Sequence, residues 1–93
     1  MGSPRAQAAL LSDALESGDA GYIANALGVI ARARGMSEVA RAAGVSRVAL
    51  YKALNSDGDP KLTTLLGVMR SLGFVLSAHV SPPRRRTPGR KAA

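Results

Sequence analysis

The residues with the most chemical capacity fall in one stretch. Residues 36–55 read Met-Ser-Glu-Val-Ala-Arg-Ala-Ala-Gly-Val-Ser-Arg-Val-Ala-Leu-Tyr-Lys-Ala-Leu-Asn. If 47–55 is a helix, Arg47, Val48, Tyr51, Lys52 and Asn55 recur at steps of one, three and four and share a face. Leu50 and Leu54, four apart, then define the opposite, inward face. The outward set is rich in hydrogen-bond donors and contains no carboxylate. It suits recognition of an anionic, acceptor-rich ligand better than the making or breaking of bonds.

The rest of the composition narrows the field. The chain has no Cys, one His and six acidic residues. Disulfide frameworks, thiolate zinc sites and cysteine nucleophiles are excluded together. One His and so few acids do not make an acid–base or metal enzyme, so no catalytic residue, cofactor or metal site is expected. Asp57 and Asp59 sit in a Gly-containing loop, but the remaining ligands of a calcium loop and its terminal Glu are missing, so they read as turn residues. His79 has no nearby partner and reads as a half-exposed residue of an extended segment.

Positioning these side chains requires a fold. Ninety-three residues allow one small domain, and Ala and Leu supply most of the 46% hydrophobic content, with 3% aromatic, which favours helices. Periodicity predicts helices over about 5–17, 20–34, 37–43, 47–55 and 61–72, punctuated by Gly18, Gly35, Gly44, the Asn55-Ser56-Asp57-Gly58-Asp59-Pro60 loop and Gly73. Gly28 and Gly67 lie inside helices, where Gly costs about 1 kcal/mol relative to Ala, so close helix packing is the expected reason for both. Residues 74–80 switch to period two, with Phe74, Leu76, Ala78 and Val80 on one side, which predicts a strand. A lone strand leaves its backbone unpaired, so strand 74–80 is expected to pair with its copy in a homodimer or with another protein. The fold class is therefore all-α, five helices with a short C-terminal β-strand, over residues 1–80.

Residues 81–93 form a basic tail with Pro82, Pro83 and Pro88 and nothing to build a core, and are expected to be disordered. The net charge is +7, yet Arg84, Arg85, Arg86, Arg90 and Lys91 carry five of those charges. Residues 1–80 hold eight cations against six acids. The tail reads as an element that samples phosphates, binds RNA or an acidic protein face, or keeps the chain soluble. No apolar run reaches the ~20 residues of a membrane span, and the N-terminus lacks a secretory apolar core, so the chain reads as cytoplasmic, with no membrane partner.

Residues 36–55 have the order and spacing of a helix-turn-helix. Ala40 is small where two helices would cross, Gly44 fits a left-handed turn, Val45 fills the gap, and Ser46 caps the second helix. In such a unit the N-terminal residues of the second helix approach base edges. Arg47 can donate a bidentate pair to guanine O6 and N7, Val48 can meet a thymine methyl, and Asn55 can reach a base or phosphate. Tyr51 and Lys52 are placed for phosphates. Ser37 and Ser46, read as caps, leave backbone N–H groups at two helix starts for phosphate oxygens. The partner this implies is double-stranded DNA.

Several runs also resemble a known family. They are Ile30-Ala31-Arg32-Ala33-Arg34-Gly35-Met36-Ser37, Ala43-Gly44-Val45-Ser46-Arg47 with Ala49-Leu50-Tyr51-Lys52-Ala53-Leu54, and Asp57-Gly58-Asp59-Pro60, Leu65 and Leu72-Gly73. Together they resemble the addiction-module antidote family, HigA-like helix-turn-helix antitoxins related to Xre/Cro regulators. The resemblance covers about residues 12–77. Asp59 stands where the family usually has Asn before Pro, and the basic tail extends beyond the family's usual end. The resemblance implies a lambda-repressor-like, dimeric antitoxin. It would bind operator DNA in its own promoter and neutralise a RelE/ParE-like toxin, often a ribosome-dependent ribonuclease. Asp13, Glu16 and Asp19, the acidic cluster, are then a dock for a basic toxin or a solvated helix face. Two other readings stand beside this one. The first is a solitary phage-type repressor; the second is an interaction module that has lost DNA binding.

Overall fold

The computed structural model describes residues 3–78 and 80. Among them run five helices: α1 (Pro4–Ser17), α2 (Ala20–Arg34), α3 (Met36–Ala43), α4 (Arg47–Ala53) and α5 (Leu62–Leu72). The expected basic tail, 81–93, and His79 lie outside the described residues. The first helix begins one residue before its expected start, because Ser3 accepts a hydrogen bond from the Ala6 N–H at 3.1 Å and Pro4 occupies the first turn. Asp19 caps α2 as its type predicts, accepting from the Gly21 N–H at 3.1 Å.

The start of α3 differs from expectation. Ser37 does not cap it. Gly35, at φ 115°, is both the C-terminal stop of α2 and the N-cap of α3, which places Ser37 one residue inside the helix. Only a residue without a Cβ adopts that backbone easily, and it lets the chain leave one helix and enter the next with no linker. Gly44, at φ 77°, makes the expected left-handed turn, and the Val45 N–H donates to the Ala40 carbonyl at 3.0 Å. The fourth helix is shorter than predicted, ending at Ala53 with Leu54 as its C-cap.

The third helix is the hub: it packs on α2, α4 and α5, while α1 lies along α2. Leu27, Ile30, Leu50, Leu54 and Val68 are fully buried at the centre, joined by Leu11, Met36, Val39, Ala40, Met69 and Leu72. Each of these side chains larger than alanine contributes about 1.5–3 kcal/mol relative to exposure. The inward assignment of Leu50 and Leu54 holds, as does the packing reason for the helical glycines. A Cβ on Gly28 would collide with the Leu54 carbonyl oxygen, and one on Gly67 would lie 3.1 Å from Ala43 Cα. Gly21, one heptad before Gly28, does the same for the Ser56 carbonyl. The bare stripe on α2 thus seats the backbone that follows α4.

No strand forms among the described residues of the C-terminal segment. Gly73 and Phe74 close α5 by donating their N–H groups to Arg70 and Met69 at 3.1 and 2.9 Å. Phe74 and Leu76 then pack, half-buried, against the helical core, while Val75 is 85% exposed. Phe74, Val75 and Leu76 alternate in burial as an irregular segment over this chain's own core, but Ala78 and Val80, expected on the same side as Phe74, are exposed. Half of the expected inward side is thus met within the chain, and the pairing expected of a strand is not seen among the described residues.

Candidate nucleic-acid interface

The fourth helix is set by its cap. The Ser46 side chain accepts from the Ala49 N–H at 3.0 Å, and Leu50 and Leu54 anchor the inner face. The outer face then presents Arg47, Val48, Tyr51 and Lys52, all exposed, with Val48 67% exposed in the first turn. An apolar side chain held that far into solvent at a helix start has no packing role in this chain. Asn55 is placed differently. Its amide NH2 donates to the Tyr51 and Lys52 carbonyls at 3.0 and 3.1 Å, and its side-chain oxygen accepts from the Asp57 N–H at 2.8 Å. Those bonds satisfy the last carbonyls of α4 and shape the loop, so Asn55 fixes the end of α4.

Beside α4 lies an open groove of about 610 Å3, bordered by the end of α2, the start of α3 and the outer face of α4. Its lining includes Arg32, Arg34, Arg41 and Arg47 with Ser37 and Tyr51, and one carboxylate, Glu38. Half of the eight cations of residues 1–80 converge there. The Arg32 and Arg47 guanidinium carbons lie over the Tyr51 ring at 5.8 and 5.7 Å from its centre, within cation–π range. The Arg34 side chain is fixed from behind: its Nε and Nη2 donate to Oε1 of the buried Gln7 at 3.1 and 2.9 Å. Glu38 sits 3.8 Å from Arg41, an exposed pair that offsets little of the field. A second groove of about 490 Å3, between α3 and α5, shares the ridge of Arg34, Glu38 and Arg41.

Of the residues singled out by sequence, Ser37, Arg47 and Tyr51 line the basic groove. Val48 and Lys52 share the outer face of α4, Ser46 holds its start and Asn55 its end. Sequence reasoning missed Arg32, Arg34 and Arg41. Their signal was present as basic residues in the last turns of α2 and α3, where cations are favoured by the helix dipole. Periodicity within 36–55 could not bring in Arg32 and Arg34, because they reach the groove through tertiary packing.

The family model described as "Probable addiction module antidote protein" matches residues 1–80. The chain belongs to that family. The antidote-family chain is also 48% identical over 64 residues to an uncharacterized protein of Haemophilus influenzae, an overlap covering 69% of this chain and 66% of that relative. No solved structure matches it. Among the described residues of this antidote-family chain, no helix is long and apolar enough to cross a membrane. The family match ends at residue 80, just short of the arginine-rich segment.

Proposed function

We propose that this chain is the antitoxin of a type II toxin–antitoxin module, a HigA-like, Xre/Cro-type helix-turn-helix protein that binds operator DNA and represses its own transcription. The observation that carries the DNA reading is the outer face of α4: Arg47, Val48, Tyr51 and Lys52 exposed beside a groove lined by three further arginines. The α3–α4 pair is the reading unit. Arg47 donates to a guanine edge and Val48 meets a thymine methyl, while Tyr51 and Lys52 hold backbone phosphates. Membership in the antidote family supports the second half of the role, direct neutralisation of a RelE/ParE-like toxin. The acidic side chains Asp13, Glu16 and Asp19, all exposed, form the dock that suits a basic ribonuclease. Val75 and Val80, 85 and 94% exposed, support a homodimer paired through residues 74–80. The protein acts in the cytoplasm as a binding protein, without catalysis or cofactor.

Purification of the full chain from its native cells tests the proposal. The expected result is a stoichiometric small basic protein that arrests growth when expressed alone, together with a specific footprint on the chain's own promoter. A footprint without such a partner leaves a solitary repressor. The absence of both leaves an interaction module and rejects the antitoxin.

A further inference from the structure

Arg32 lies outside the helix-turn-helix segment, on the last turn of α2, and nothing in the reading of residues 36–55 gives it a task. The structure nevertheless brings its guanidinium to the same aromatic ring as Arg47, the first residue of α4. Two cations at one ring repel each other, and the ring quadrupole offsets only part of that cost. Neither charge is neutralised by a carboxylate among the described residues; Glu38 is taken up by Arg41. Guanidinium groups present planar donor forks that match a phosphate, and both are exposed at the mouth of the groove.

We infer that Arg32, held over Tyr51 beside Arg47, grips a backbone phosphate of duplex DNA while Arg47 faces the base edge, so that α2 and α4 hold the same strand and fix the angle at which α4 enters the major groove. This deepens the DNA reading above and rests on it. Arg32 is then a phosphate-positioning residue that carries no sequence information. Tyr51 contributes its ring face, which gathers the two cations, in addition to its hydroxyl.

The test measures binding of the full chain to a duplex of its own promoter and to a random duplex of equal length, across a salt series. Arg32→Ala is expected to weaken both by the same factor, about five- to tenfold near 0.1 M salt, and to reduce the salt slope by about one. Arg32→Lys keeps the charge but loses the fork, and should recover the slope more than the affinity. Tyr51→Phe keeps the ring and should keep the slope, whereas Tyr51→Leu should lower it as Arg32→Ala does. Circular dichroism confirms that each variant is folded, and a merely structural role for Arg32 would leave the slope unmoved. Binding by the wild-type chain with an unchanged slope in Arg32→Ala overturns the phosphate clamp alone. So does a loss confined to the promoter duplex. No binding of either duplex by the wild-type chain overturns the clamp together with the DNA reading beneath it.

Discussion

At the scale of single residues, Arg47 and Val48 occupy the first turn of α4, where side chains of a reading helix meet base edges. If Arg47 donates two hydrogen bonds to one guanine, Arg47→Ala should cost about 1–3 kcal/mol of discrimination at that base pair. Competition between the promoter duplex and a variant with that pair changed measures it; an equal loss on both would move Arg47 wholly to phosphate binding. A second residue-scale prediction concerns Tyr22, whose hydroxyl donates to Asp13 at 2.5 Å. That hydrogen bond holds the phenol above its ordinary value of 10, with desolvation and the carboxylate's charge pushing the same way. The unfolded phenol titrates near 10, so the stabilisation is fully present below that pH and is lost as pH rises through the folded value. Ultraviolet titration should therefore show one of the two tyrosines ionising late, and Asp13→Asn should bring it back towards the ordinary range.

At the scale of elements, the glycine stripe of α2 decides where α4 sits. Helix propensity alone says that Gly28→Ala should stabilise α2 by about 1 kcal/mol. Packing says the reverse, because the added Cβ meets the backbone oxygen of Leu54, which no side-chain rotation can move. The expected outcome is a net destabilisation of about 1–3 kcal/mol, read from chemical denaturation, and a displaced α4 that binds the promoter duplex less tightly. The same contrast explains what was legible in the sequence. Leu50 and Leu54 were readable as inward because a period of 3.6 is local, and Gly44 and Ser46 because turn and cap chemistry is local too. Ser37 was misread because a serine before an apolar run is the usual N-cap, and Gly35 took that place by joining two helices directly. Asn55 was readable as polar and close to α4, but whether its amide faced solvent or its own helix depended on where α4 stopped. The segment 74–80, where no strand appears among the described residues, meets a related limit. Alternating burial can be met by an irregular segment lying on the core as well as by a strand, and sequence does not separate the two. Arg32 and Arg34 joined the groove only through the packing of α2 on α3, which no local pattern encodes.

At the scale of the whole molecule, charge is sorted by place. Asp13, Glu16 and Asp19 lie on α1 and at its junction with α2, whereas Arg32, Arg34, Arg41 and Arg47 gather at the groove beside α4. With residues 1–80 carrying only a small positive excess, the positive field of the folded part comes chiefly from this local concentration. The remaining five cations follow residue 80, where the family match ends. The two groups should therefore be separable by experiment. A chain ending at Val80 is expected to keep its preference for the promoter over a random duplex, since the reading face is intact. Its affinity for both should fall by a similar factor, at least about tenfold at low salt, and the salt slope should flatten by about 0.9 for each phosphate the segment had neutralised. A loss of preference would mean that the segment reads sequence, and an unchanged slope would mean that its arginines serve another partner. Combined with Arg32→Ala, the two slope changes should add, because the residues would touch different phosphates. Less-than-additive changes would place the segment on the same phosphate as the clamp, and so locate it beside α2 and α4.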